Sequence, residues 1–195
     1  MANLLELLTQ EERKLINSST YEKDQIIFHE DSLCENLGII ITGSASIISY
    51  SFEGQNILFR TLQKHDTFGE NLIFSKNPFY KGNVIATSKV KIAFISKNNL
   101  VKILQENKNF LIEFLNLTSE FAKELNSKIK ILSFTNAEER FYYFMHEHKN
   151  VYVMKNITSF SNELGITRET LSRLLTKLEL DEKIIILNKK ISLIE

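Results

Sequence analysis

The chain has 195 residues, 43% of them hydrophobic and 25% charged. That balance excludes a disordered or fibrous polymer and allows one or two domains with real cores. The 24 basic and 24 acidic residues cancel, so any nucleic-acid contact has to come from a focused patch rather than from net charge.

No apolar run is long enough to cross a bilayer, and Met1 to Leu8 lack the basic start and small-residue cleavage site of a signal peptide. The expectation is a cytoplasmic protein with no membrane contact. A single cysteine, Cys34, supports neither a disulfide framework nor an iron–sulfur cluster or structural zinc, and reads as a small buried hydrophobe.

In chain order, Leu4 to Asn17 predicts a short helix, with Leu4, Leu7, Leu8, Leu15 and Ile16 at helical spacings and the acids early. From Ile26 to Ser96 the pattern changes to short β-type runs: Ile26 to Phe28, Leu37 to Ile41, Ala45 to Tyr50, Asn56 to Leu62, Val84 to Ala86 and Val90 to Ile95. A Phe52-Glu53-Gly54-Gln55 turn separates the third of these from the fourth, and the only proline, Pro78, lies in an irregular stretch from Ser75 to Gly82. Runs so short, broken by turn residues, point to a sandwich or barrel of antiparallel strands. Asn98 and Asn99 can cap a helix near Leu100, and a longer helix runs from about Asn109 to Ser133. Along it Phe110, Phe114, Leu117, Phe121, Leu125, Ile129 and Leu132 recur at steps of three or four. Packing on the β-region would hide such a stripe, but a helix this long that joins two regions points to self-association.

In the last region Glu138 to His148 reads as a helix with Phe141, Phe144 and Met145 inward, followed by a strand-like Val151 to Met154. Asn156 can cap a brief helix that stops at Gly165, and Thr167 can cap the next, Arg168 to about Leu180. The tail alternates as a hairpin, Ile184 to Leu187 and Ile191 to Ile194, around Asn188-Lys189-Lys190. Where the two helices meet, Phe160, Leu164 and Ile166 can face Leu171, Leu174 and Leu175, which leaves Arg168, Glu169, Ser172, Arg173 and Lys177 on the other side.

That set suits double-stranded DNA, whose major groove admits one helix. Arginine matches two acceptors of guanine and glutamate accepts from the cytosine amino group, so Arg168, Glu169 and Arg173 are the candidate base readers. Thr167, Ser172, Lys177, Lys189 and Lys190 are candidate backbone contacts, which supply affinity and salt dependence without sequence information. Nine basic and nine acidic residues fall between Asn136 and Glu195, so the predicted contact is local.

The run Thr167-Arg168-Glu169-Thr170-Leu171-Ser172-Arg173 resembles the recognition helix of the cyclic-AMP receptor protein/FNR regulators. Gly43, Glu53-Gly54 and Phe68-Gly69-Glu70 are similar to landmarks of that family's β-roll, and Phe110 to Leu132 to its dimerisation helix. The resemblance covers nearly the whole chain. It implies an α+β protein in three parts: a cyclic-nucleotide-binding-like double-stranded β-helix (jelly-roll) sensor over 1–108, a dimerisation helix over 109–135 and a winged helix-turn-helix over 136–195. It further implies a homodimer that regulates transcription from a palindromic operator with a TGTGA-like half-site, with RNA polymerase as a further partner.

In the family's cyclic-nucleotide binders a Gly-Glu pair opens the phosphate cassette, its glutamate holding the ribose hydroxyl, and an Arg-Ser or Arg-Thr pair closes it. Gly69 and Glu70 match the opening, but counting without gaps puts Tyr80-Lys81 where the arginine pair belongs. Lys81 offers charge without the arginine fork. The candidate pocket of Gly69, Glu70, Tyr80 and Lys81 is therefore expected not to take cyclic AMP. Another ligand, no ligand, and regulation by abundance stay open, and no cofactor is predicted. His65 is the nearest candidate for a haem ligand and reads more simply as a surface histidine. His146 and His148, two apart on a helix, point to different faces and form no metal pair. Without a phosphate loop, a Gly-x-Ser-x-Gly elbow or a His/Cys cluster, the sequence predicts neither a metal site nor an enzyme. The competing reading is a ligand-responsive binding module whose helix-turn-helix docks a protein partner.

Overall fold

A computed structural model describes residues 3–50, 53–54 and 56–194; Phe52 and Gln55 of the expected turn lie outside the described residues. The leading apolar run does not make the one helix its spacing predicts. A 3-10 turn, Leu4–Leu7, is followed by a one-turn helix α1, Gln10–Arg13. Thr9 divides them: its hydroxyl accepts from the Glu12 N–H at 3.3 Å, and the Glu12 carboxylate accepts from the Thr9 N–H at 2.8 Å, a reciprocal cap that starts a new helix. Burial pushes the Glu12 carboxyl up, but hydrogen bonds from Thr9 and Asn107 outweigh it and hold the group below its ordinary value. Asn107 is itself a junction. Its Nδ2 donates to the Leu7 carbonyl at 2.9 Å and to Glu12 at 3.0 Å, while its Oδ1 accepts from the Phe110 N–H at 3.0 Å.

Among the described residues eight strands follow: β1 Asn17–Tyr21, β2 Ile26–Phe28, β3 Asn36–Thr42, β4 Ala45–Tyr50, β5 Asn56–Leu62, β6 Thr67–Phe68, β7 Asn83–Ala86 and β8 Val90–Ser96. They form two antiparallel four-stranded sheets, ordered β1-β8-β3-β6 and β2-β7-β4-β5. Leu37, Ile39, Ile92 and Ile95 from the first sheet and Ala45, Leu62 and Val84 from the second share one core. β1 and β6 escape sequence reading. The first is a polar edge strand, largely exposed, and the second is two residues long.

Helix α2, Lys97–Glu106, is capped by the Ser96 hydroxyl, which accepts from the Asn99 N–H at 3.4 Å, rather than by Asn98 or Asn99. The Asn99 side chain instead donates to the Leu15 carbonyl at 2.9 Å. Helix α3 covers Lys108–Ser133. The chain divides into two compact units, Met1–Ser119 and Glu120–Glu195.

In the second unit come α4 Ala137–Glu147, β9 Val151–Val153, α5 Ile157–Leu164, α6 Arg168–Leu180, β10 Ile184–Leu187 and β11 Lys190–Leu193. The strands pair antiparallel in the order β10-β11-β9. Asn188 and Lys189, both at positive φ (50° and 66°), make a two-residue hairpin turn. Lys190, expected in the turn, is therefore the first residue of β11. Phe141, Phe144, Phe160, Leu164, Leu171 and Leu178 lead a second, separate core. Among the described residues no helix is long and apolar enough to cross a membrane.

One close approach makes a test of the β-sheets. Gly38 on β3 pairs with Phe68 on β6, whose ring covers the glycine so closely that a Cβ there would lie 2.2–2.6 Å from ring carbons. Gly38→Ala is expected to destabilise the chain by about 1–3 kcal/mol, the range for forcing extra volume into a packed core. Equilibrium urea unfolding reads this as a lower midpoint at unchanged slope.

Candidate nucleic-acid interface

The candidate interface is built on a turn. Gly165 caps the C-terminus of α5 in the left-handed conformation, φ 62° and ψ 40°. A Cβ there would be strained by the left-handed backbone and would lie 2.3 Å from the Leu132 Cδ2, so the Leu132 side chain would have to shift to admit it. Two residues on, the Thr167 hydroxyl accepts from the Thr170 N–H at 3.1 Å and caps α6. Leu171, Leu174, Leu175 and Leu178 line the buried side of α6 and meet Phe160 and Leu164 of α5, with Ile166 half-buried beside them.

The opposite side of α6 is polar. Arg168, Glu169, Ser172, Arg173 and Lys177 are all exposed, and the first four, with Ile157, line a shallow concavity. The Glu169 carboxyl is held below its ordinary value by its own N–H, by the Thr167 hydroxyl and then by Arg168 and Arg173. It is thus a carboxylate acceptor at neutral pH, flanked by two guanidinium donors.

Lys177 differs from its sequence reading. Its ammonium lies 2.9 Å from Glu138 of α4, which raises its pKa and lowers that of Glu138. Lys183 also approaches Glu138, at 3.8 Å. A partner 39 positions earlier left no local trace in the sequence. Lys189 and Lys190 are exposed, and Lys190 pairs across the sheet with Leu187 and Val153.

Behind the turn two cations hold helix ends. Lys128 of α3 donates to the carbonyls of Asn162 and Glu163 at 2.6 and 2.7 Å. Burial pulls its ammonium below the ordinary lysine value, and Glu163 opposes that. Arg140 of α4 donates to Gly165 and Leu164 at 2.8 and 3.3 Å, and to Phe134 and Leu132 at 2.8 and 3.3 Å.

The predicted stripe on α3 is not one face. Phe110, Phe114 and Leu117 are buried in the core of the first unit, Phe121 is half-buried, and Leu125, Ile129 and Leu132 are exposed, Ile129 by 65%. Each step of four residues advances about 40° past a full turn, so three successive such steps from Leu117 to Ile129 wind the row from the core side to the solvent side. Phe110, Phe114 and Leu117 are thereby covered by their own unit. The outward row is instead Leu115, Ala122, Leu125, Ile129 and Leu132, all exposed, with half-buried Thr118 among them, at alternating steps of three and four, the spacing of a coiled-coil seam.

The sequence-predicted pocket also divides. Gly69, Glu70 and Tyr80 are buried, while Lys81 faces solvent. Glu70 points its Oε1 at Arg60 of β5, 2.9 Å from Nη1, which also donates to the Thr67 carbonyl at 3.2 Å. Tyr80 stacks on Phe28 with ring centroids 4.8 Å apart. Its phenol is pushed up by burial and by the neighbouring Cys34 and Glu70, and burial likewise pushes up the Cys34 thiol. Both stay protonated at neutral pH.

Arg60 is the residue the sequence reading missed. Its one signal was a lone charge inside the apolar strand Ile57-Leu58-Phe59-Arg60-Thr61-Leu62. His65 is exposed in the turn after β5, and His148 stacks on Phe144 at 4.1 Å. Among the described residues no group of three His, Cys, Asp or Glu is placed to hold a metal ion.

Residues 18–107 match the family profile of the cyclic nucleotide-binding domain. The chain is 27% identical over 152 residues to the anaerobic regulatory protein of Bacillus subtilis (strain 168), covering 78% of this chain and 64% of that protein. It is 24% identical over 113 residues to the cAMP-activated global transcriptional regulator CRP of Pasteurella multocida (strain Pm70), covering 58% and 53%. The aligned part thus spans less than two thirds of the length of either. Among solved structures, a CooA mutant from Carboxydothermus hydrogenoformans shares the fold, with a TM-score of 0.74 at 20% identity over 98% of this chain and 91% of that one. Over residues 18–107, which hold the two four-stranded sheets apart from the start of β1, the chain is thus similar to cyclic nucleotide-binding domains, and over longer stretches it is similar to these two regulatory proteins.

Arg60→Met leaves the buried Glu70 charge without its guanidinium and is expected to destabilise by about 3 kcal/mol, as for stranding one half of a buried pair. Adding Glu70→Met should recover most of that, because no charge is left stranded. Urea unfolding of the two variants gives the comparison.

Proposed function

We propose that the chain is a DNA-binding transcription regulator, acting in the cytoplasm as a homodimer on a palindromic operator with a TGTGA-like half-site, and not an enzyme. In this reading 1–108 form a jelly-roll sensor, 109–135 the dimerisation helix and 136–195 a winged helix-turn-helix whose wing is the β10–β11 hairpin. RNA polymerase is a further partner.

The observation that carries it is the two-sidedness of α6: four leucines buried on one side and Arg168, Glu169 and Arg173 exposed together on the other. Arginine forks and an ionised carboxylate are the donors and acceptor that guanine and cytosine edges match. The exposed row on α3 supports pairing of two copies, because apolar side chains at coiled-coil spacing need a partner helix. Thr167 acts mainly by capping α6. Ser172, Lys189 and Lys190 are the backbone contacts, and Lys177 joins them only by giving up Glu138.

Control by cyclic AMP is not part of the reading. Glu70 is taken by Arg60, and Tyr80, at the place of the family's phosphate-binding arginine, is packed into the core. A cyclic phosphate there would meet an aromatic ring, with the Arg60 guanidinium already engaged by Glu70, which is costly in a buried site.

Fluorescence anisotropy with a TGTGA-type palindrome and a scrambled duplex, at several salt concentrations, tests the proposal. Preference for the palindrome and a negative salt slope are expected. Equal, salt-insensitive affinity for both would instead favour the helix-turn-helix as a protein-docking surface. Arg173→Ala should lose about 1–3 kcal/mol of discrimination at one guanine, seen as relaxed specificity at that base pair alone. Ile129→Glu should convert dimer to monomer in sedimentation velocity, and a variant that stays dimeric would refute pairing through α3.

A further inference from the structure

Arg140 and Lys128 do something that no sequence feature announced. The last carbonyls of a helix have no partner within it, and a cation is favourable there. Arg140 meets this need for two helices at once: one side of its guanidinium serves the end of α3 and the other the end of α5. A planar fork with five fixed donors can do this, and an ammonium cannot. Lys128 adds a second tie, from the body of α3 to the same end of α5.

Between these ties lies Leu132, filling the space that a side chain at position 165 would take. Leu132 is also 46% exposed and stands in the apolar row of α3. One side chain thus belongs both to the face available to a second copy and to the wall of the turn that aims α6.

We propose that Arg140 and Lys128 are positioning residues for base reading. They fuse the last turns of α3 to the α5–Gly165–α6 turn, so that the way α3 pairs sets where α6 points. The inference rests on the DNA-binding, homodimeric reading above. It adds that the dimer helix and the reading helix move as one body, with Leu132 as the shared contact. Neither Arg140 nor Lys128 needs to touch DNA.

The test uses the full-length chain, the palindrome and the scrambled duplex. Arg140→Met should weaken palindrome binding by about tenfold or more, while binding to the scrambled duplex, driven by phosphate charge, changes by less than about twofold. Arg140→Lys should not restore the preference, since the fork is lost. Gly165→Ala should lose the preference too, and Gly165→Ala/Leu132→Ala should regain part of it by making room for the methyl. Circular dichroism melts and sedimentation confirm that each variant compared is folded and dimeric. Should Arg140→Met fail to fold, Lys128→Met and the Leu132→Ala relief carry the same comparison. A folded, dimeric Arg140→Met or Lys128→Met with the wild-type preference overturns the inference while leaving the DNA-binding reading intact. A wild-type chain with no preference overturns both.

Discussion

At position 165 the backbone has to turn left-handed with nothing attached to it. That single requirement organises the second unit. With φ at 62° and Leu132 pressed where a side chain would be, α5 ends abruptly and α6 begins three residues later, capped by Thr167. The abrupt turn brings Phe160 and Leu164 against Leu171 and Leu175. Once that apolar side is seated, helical geometry alone carries Arg168, Glu169 and Arg173 to the opposite side. The exposure of these three polar side chains is therefore a by-product of where the leucines must go.

Charge is used in two contrasting ways. In the first unit Arg60 turns inward and neutralises Glu70 in the interior. In the second, two arginines turn outward around a carboxylate held ionised by its own backbone N–H and a hydroxyl. A net charge of zero hides this division, since opposite charges far apart in space cancel in the sum. Local pairing also edits the basic surface: Glu138 takes up Lys177 and draws Lys183 near, so the effective cationic patch lies toward the hairpin and the start of α6.

Legibility in the sequence followed the range of the interactions. The α5–α6 turn, its glycine and both caps were legible because every determinant lies within a few residues. The apolar strands of the two sheets were legible from their runs, whereas polar β1 takes its place only through pairing with β8. The opening helix failed because Thr9 and Glu12 form a cap in mid-run. The long stripe failed because a row of apolar residues at steps of four looks like one face on paper and winds around the helix in space. Arg60 with Glu70, Lys177 with Glu138, and Arg140 with the turn are tertiary partnerships, and no residue spacing announces them.

Asn107 links parts of the first unit that the chain separates widely. It caps the start of α3 with one side-chain atom and holds Leu7, 100 positions earlier, with the other. Leu7 and the start of the long helix are thus bracketed by one side chain. A shortening that removes Leu7 would therefore act on the first turn of α3 from outside it, by taking away the carbonyl that Asn107 holds.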